Sequence, residues 1–114
     1  MMIKSSIIND SIESHDLDKR AILTMVGNAQ MRDIFMTIKN QPMTASQIIA
    51  STKIPQTTAY RKLTWLLKKG LIRGKIIKPL IQGASDMVLF YTLIKEFSYE
   101  WQSDQVNVIM AVEE

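Results

Sequence analysis

The chain has no cysteine and only one histidine, His15. The first absence excludes disulfides and thiolate-bound metal. A zinc site needs several ligands, so a lone His15 reads as a surface residue, and no metal or other cofactor is expected. Catalytic signatures are missing as well. The sequence shows no nucleophile–base pair, no clustered carboxylates and no glycine-rich phosphate loop, so it is not expected to be an enzyme. No apolar run approaches the ~20 residues needed to span a bilayer. The N-terminus, MMIKSSIINDSIESHD, is interrupted by polar residues and acids, unlike the apolar core of a signal peptide. These features lead to the expectation of a soluble, cytoplasmic protein with no membrane partner. Acids are missing from the middle of the chain. Residues 34 to 85 hold Lys39, Lys53, Arg61, Lys62, Lys68, Lys69, Arg73, Lys75 and Lys78, with no aspartate or glutamate. The segments on either side are acidic, and the formal net charge is only +3. A block of one sign within a folded segment attracts polyanions, with an affinity that falls as salt rises. The alternative is that these lysines are merely solvated surface.

The basic block contains the most informative stretch, TASQIIASTKIPQTTAYRKLTWLLKKG, from Thr44 to Gly70. Thr44 followed by Gln47 forms a capping box, in which the hydroxyl takes the amide of the third helical residue and the amide side chain reaches back. Ile48 and Ile49 give this short helix a buried side. The run Thr52-Lys53-Ile54-Pro55 stops it, and Pro55 restarts a helix, because proline is tolerated in a first turn and not in an interior. In the second helix, about Gln56 to Lys69, the period of 3.6 puts Ala59, Leu63, Leu66 and Leu67 on a buried stripe. The opposite side carries Thr57, Thr58, Arg61, Thr64 and Trp65, with Gln56 and Tyr60 near its N-terminal edge. An ordinary exposed face mixes Glu with Lys at i,i+4 spacing. This face has no acid, and its side chains suit base edges, thymine methyls and phosphates. The pattern predicts a helix-turn-helix with its second helix in a DNA major groove. Lys53 and Lys62 belong to the same candidate DNA-binding set.

Taken in order, residues 1–15 have no sustained period and read as an N-terminal arm. Ile3, Ile7, Ile8 and Ile12 could form a helical turn or a strand. A first helix starts near Asp16 or Asp18 and runs to Val26, burying Leu17, Ala21 or Ile22, and Met25. Gly27 is expected just past its end in the left-handed conformation. Asn28 caps a second helix, Ala29 to Asn40, whose core positions are Met31, Ile34, Phe35 and Ile38. After Gly70 the pattern turns to strands. Residues 71–77 and 87–93 are β-branched or aromatic, and the Pro-, Gly- and Ser-containing segment 78–86 connects them. This hairpin is a wing, with Arg73, Lys75 and Lys78 as its DNA contacts. Leu80 and Ile81 in the loop are expected to fold back onto the domain.

The C-terminal segment alternates with period 2. Phe97, Tyr99 and Trp101 share one parity and Val106, Val108, Met110 and Val112 another, with a turn at Gln102-Ser103-Asp104-Gln105. A second hairpin is expected, with a helix as the alternative. Phe97, Tyr99, Trp101, Val106 and Val108 are the candidate dimerisation residues; the competing reading is that this face only covers the domain's own core. The expected fold is α+β, mostly α: a winged helix-turn-helix with about four helices, a β-hairpin wing and a C-terminal β-hairpin. Its expected parts are the arm at 1–15, the DNA-binding domain at 16–93 and the extension at 94–114.

The segment Val26-Gly27-Asn28-Ala29-Gln30-Met31-Arg32-Asp33-Ile34 resembles the start of ArsR-type winged-helix repressors. The run Ile54-Pro55-Gln56-Thr57-Thr58-Ala59-Tyr60-Arg61-Lys62-Leu63, with Leu66 and Lys69-Gly70-Leu71-Ile72, is similar to the recognition helix and first wing strand of archaeal winged-helix regulators. The resemblance spans about residues 17 to 93. It implies a homodimeric transcription regulator on a pseudo-palindromic double-stranded DNA operator, with Gln56, Thr57, Thr58, Tyr60 and Arg61 reaching bases or nearby phosphates. Two departures stand out. The cysteines of the metal-sensing members are absent, and strands replace the C-terminal dimerisation helix. The competing function is a winged-helix protein-interaction module or architectural chromatin protein without sequence-specific regulation. A single-stranded nucleic-acid binder would need an aromatic platform, for which only Tyr60 and Trp65 are candidates, and Trp65 is expected to pack against the wing.

Overall fold

The computed structural model describes residues 3–8, 19–102 and 105–113. The expected helix start at Asp16 or Asp18, Leu17, His15 and the turn residues Ser103 and Asp104 lie outside them. Nine elements follow in order among the described residues: β1 (Ile3–Ile8), α1 (Lys19–Val26), α2 (Ala29–Asn40), α3 (Ala45–Thr52), α4 (Gln56–Lys68), β2 (Arg73–Ile77), β3 (Met87–Tyr91), β4 (Ile94–Gln102) and β5 (Gln105–Glu113). The fold is α+β with a helical majority, as the periodicities predict. Among the described residues no helix is long and apolar enough to cross a membrane.

Local chemistry sets the helix boundaries. Asn28 caps α2 by accepting the Met31 amide at 3.0 Å. The Thr44–Gln47 capping box is complete: the Gln47 amide donates to the Thr44 hydroxyl at 3.3 Å, and the Thr44 amide to the Gln47 side chain at 3.0 Å. Gly27 differs from expectation. The residues with positive φ among those described are Lys53, Gly70 and Gly83. α1 instead ends through the Gly27 amide on the Leu23 carbonyl and the Asn28 amide on Met25, a closure that needs no left-handed residue.

The core lies among the four helices and one face of the C-terminal sheet. Ile22, Met25, Ile34, Phe35, Ile48 and Leu66 are fully buried there. Leu71 and Ile72, read in sequence as strand, are also buried and precede β2. They tie the end of α4 to the core, and the Leu71 and Ile72 amides both point at the Leu66 carbonyl.

The five strands form two sheets. β2 and β3 pair antiparallel, Arg73 opposite Tyr91 and Ile77 opposite Met87. Met43 adds a short bridge to the outer side of β3, exchanging both backbone hydrogen bonds with Phe90 at 3.0 and 2.7 Å. The wing is therefore anchored to the residue just before the α3 capping box. The second sheet has the order β1-β5-β4, all antiparallel. The N-terminal strand thus adds to the C-terminal hairpin, with Ile3 opposite Glu113 and Ile8 opposite Val108.

Candidate nucleic-acid interface

The turn between α3 and α4 decides how the second helix is presented. Lys53 closes α3 with φ 62° and ψ 16°, and its amide donates to the Ile49 carbonyl at 2.9 Å. Ile54, only 5% exposed, pins the turn into the core. Pro55 then sits at the N-cap of α4 with φ −55° and ψ 143°, and its carbonyl accepts the Ala59 amide at 2.8 Å. No side chain caps α4, so the first-turn amides of this helix have no side-chain acceptor.

Ala59, Leu63 and Leu66 form the buried stripe of α4. Gln56, Thr57, Tyr60, Arg61 and Thr64 lie together on the outer side and line one open depression. The Thr64 hydroxyl donates to the Tyr60 carbonyl at 2.9 Å, which leaves it as an acceptor toward solvent. Thr58 and Lys62 are half-buried on the flanks, and Lys53 is exposed at the preceding turn. Two side chains differ from the sequence reading. Leu67 is not part of the buried stripe. It is 38% exposed, and a Cβ built on Gly74 of β2 would lie 3.8 Å from its Cδ2, so it is Leu67 that meets the wing. Trp65 is half-buried against the core, with the Lys69 ammonium 6.0 Å from its ring centre. It is not an exposed stacking platform.

On the wing, Arg73, Lys75 and Lys78 are all exposed. Side chains alternate across a strand, and Gly74 and Phe90 form the face packed toward Leu67. Arg73 and Lys75 therefore belong to the opposite face. Leu80 and Ile81 do not fold back: they are 104% and 75% exposed. The wing extends past the helical body, so its tip has no core to return to.

The C-terminal candidates divide. Val106 and Val108 are buried at 6% and 0%, and Phe97 is half-buried with its ring 5.1 Å from that of Phe35, edge-on. Tyr99 and Trp101 are 39% and 59% exposed. They sit opposite Val108 and Val106 in the β4–β5 register, so all five share one face.

Two positioning residues lie outside the candidate site set. Arg32 of α2 donates to the Val26 carbonyl and lies 5.6 Å from the Tyr99 ring centre, so it joins the helices to the sheet. Thr92 is buried between wing and sheet. Its hydroxyl donates to the Leu71 carbonyl at 2.8 Å and accepts the Ile94 amide at 3.1 Å.

A first helix pinned by Ile48, a turn pinned by Ile54 and an outward second helix without acids, followed by a basic hairpin, have the layout of a helix-turn-helix with a wing. Residues 28–73 match the family described as bacterial regulatory protein, arsR family. The matched segment runs from the N-cap of α2 to the first residue of β2. The match supports a helix-turn-helix of a DNA-binding transcription regulator over these residues. It does not include the wing's second strand or the C-terminal sheet. A comparison with curated proteins found no match.

Proposed function

We propose that the chain is a cytoplasmic, sequence-specific regulator of transcription. In this reading it binds double-stranded DNA as a homodimer at a pseudo-palindromic operator, in the manner of the archaeal winged-helix regulators it resembles. The observation that carries the reading is the acid-free outer face of α4, where Gln56, Thr57, Tyr60, Arg61 and Thr64 are gathered on one surface. α4 lies in the major groove. Gln56, Thr57 and Thr58 read base edges, Arg61 takes a guanine or a phosphate, and Lys62 and Lys53 hold the backbone. The uncapped N-terminus of α4 can receive a phosphate from the strand it faces. Arg73, Lys75 and Lys78 add phosphate contacts from the wing.

The dimer rests on the C-terminal sheet. β4 is an edge strand, and Tyr99 and Trp101 leave aromatic surface exposed beside that edge. An open edge with exposed aromatics suits pairing across a two-fold axis. Val106 and Val108 support this surface from within the chain's own core. Two copies would place two α4 helices in successive major grooves, roughly 34 Å apart. Removing β4 and β5 would expose that core, so a single surface change is the cleaner test. Trp101→Glu is expected to give monomers by light scattering with the folded far-UV spectrum retained; a dimer that persists moves the interface elsewhere.

The function is tested by selection from a random duplex pool at two salt concentrations. The expected result is an enriched inverted repeat and affinity that falls steeply with salt. Salt-dependent binding without enrichment points to an architectural role. No binding even at low salt removes DNA as the partner and favours a protein-interaction module.

A further inference from the structure

The wing tip is the one part of the candidate interface that a phosphate-binding role does not explain. Leu80 and Ile81 are the most exposed large apolar side chains among the described residues. They are not at the end of a loose loop. Pro79 precedes them and holds its own φ, restricting Lys78 as well. On the other side, the Ala84 amide donates to the Ile81 carbonyl at 3.2 Å, with Gly83 at φ +87° in the third position of that turn. A glycine of positive φ is what a type II turn requires there. The tip is thus presented in a defined shape. An apolar strip leads to it: Ile76 and Val88, paired across the hairpin, are 65% and 41% exposed on the face that Gly74 and Phe90 begin.

We propose that Leu80 and Ile81 form an apolar wedge that enters the DNA minor groove beside the α4 site, parts a base step and bends the duplex. This rests on the DNA-binding reading above. Charge complementarity selects the occupant. Lys75 and Lys78 flank the wedge, and no acid occurs between residues 34 and 85; the one acid of the hairpin, Asp86, stands at the tip end just beyond the Ile77–Met87 pair, and the lysines outnumber it. Such a tip fits a polyanion whose apolar interior is reachable, and a base step seen from a groove is that. The reach is sufficient. Five strand residues at about 3.4 Å each carry the tip ~17 Å from its root at Arg73, enough to pass one phosphate ridge into a flanking groove ~6 Å wide. Inserted Leu and Ile side chains unstack a step and kink DNA by roughly 20–90°.

The test uses the full chain and a duplex of about 30 base pairs carrying the selected site, with 2-aminopurine placed at successive steps and donor and acceptor dyes at the ends. The wild type is expected to raise 2-aminopurine emission at a step outside the α4 footprint and to shorten the dye separation. The double variant Leu80→Ser/Ile81→Ser should lose both signals while keeping the salt slope. Its fold is expected to survive, because neither side chain is packed, and the far-UV spectrum checks this. A variant that bends and unstacks like wild type overturns the wedge and leaves the DNA reading standing. A wild type that binds no duplex overturns both. Sedimentation of the wild type, but not the variant, with phosphatidylserine/phosphatidylcholine vesicles, together with an unbent duplex, overturns the wedge in favour of a membrane contact.

Discussion

The helical half of the molecule and its C-terminal sheet expose different chemistry. The segment from α3 to the wing presents hydrogen-bonding side chains and lysines, with no acid before Asp86. The sheet presents Tyr99 and Trp101 on one face and Ile109 on the other, with Glu96 and Glu100 on the same strand as the aromatics. A polyanion meets attraction on the first and repulsion on the second. Apolar area is exposed on both, among acids on the sheet and among lysines on the wing at Ile76, Leu80 and Ile81. The proposed DNA face and the proposed dimer surface thus lie on different parts of the molecule, and α2 joins those parts. Phe35 packs on Phe97, Arg32 reaches Tyr99, and the same helix packs on α3 and α4.

The strongest way to break this arrangement is at Phe35, which is fully buried. Phe35→Ala removes the ring that joins helices to sheet and is expected to cost about 3–5 kcal/mol in denaturant unfolding, as one cooperative transition. Two separated transitions, or a loss below about 1 kcal/mol, would mean that the halves fold independently. Thr92→Val acts at the other junction, between wing and sheet. It keeps the shape but strands the Leu71 carbonyl and the Ile94 amide, for a cost of about 1–3 kcal/mol. A neutral effect would show that water replaces the hydroxyl.

Arg61→Ala sharpens the contrast rather than breaking it. Arg61 is exposed on the outer face of α4, so stability should change by less than about 0.5 kcal/mol. DNA binding should weaken by about 1–3 kcal/mol, with relaxed preference at one base pair, if the guanidinium grips a guanine edge. Unchanged affinity and preference would take Arg61 off the contact surface. An equal loss on every sequence would make it a phosphate contact.

The helical half was legible because its signals are local. The capping box, Asn28, Pro55 and the 3.6-residue period each lie within one turn of the geometry they set, and α2 begins and ends where they place it. The alternation of residues 94–113 also declared its strands and their shared face. The hidden features depend on partners distant in sequence. That β1 completes the sheet follows from pairing with β5 across nearly the whole chain, and a six-residue run of mixed Ile, Lys and Ser does not encode its partner. Leu67 reads as a stripe residue by period but lies at the margin where the core ends and the wing begins. Leu80 and Ile81 read as residues in search of a core because sequence does not show how far a hairpin projects. Residue types on α4 marked its outer face; which of them lie outermost depended on where α2 and α3 cover the helix.

The smallest effect is expected at Lys53, where stability and recognition pull in opposite directions. The turn requires a left-handed residue, and Lys53 adopts φ 62° there. That conformation costs an L-residue roughly 1–2 kcal/mol, and glycine is the usual occupant of such a helix end. Part of the gain from glycine is lost to the greater freedom of its unfolded chain. Lys53→Gly is therefore expected to raise stability by about 1 kcal/mol or less, read as a higher denaturant midpoint at constant slope. A lysine at a strained, exposed turn beside α4 makes sense if its ammonium meets a phosphate. The same variant should then bind DNA more weakly on all sequences, with the salt slope reduced by about one. Should Lys53→Gly bind unchanged, the strain serves no contact. Should it destabilise, the aliphatic stem of Lys53 supports the turn, and the phosphate contacts of the helix-turn-helix must come from Lys62 and the wing alone.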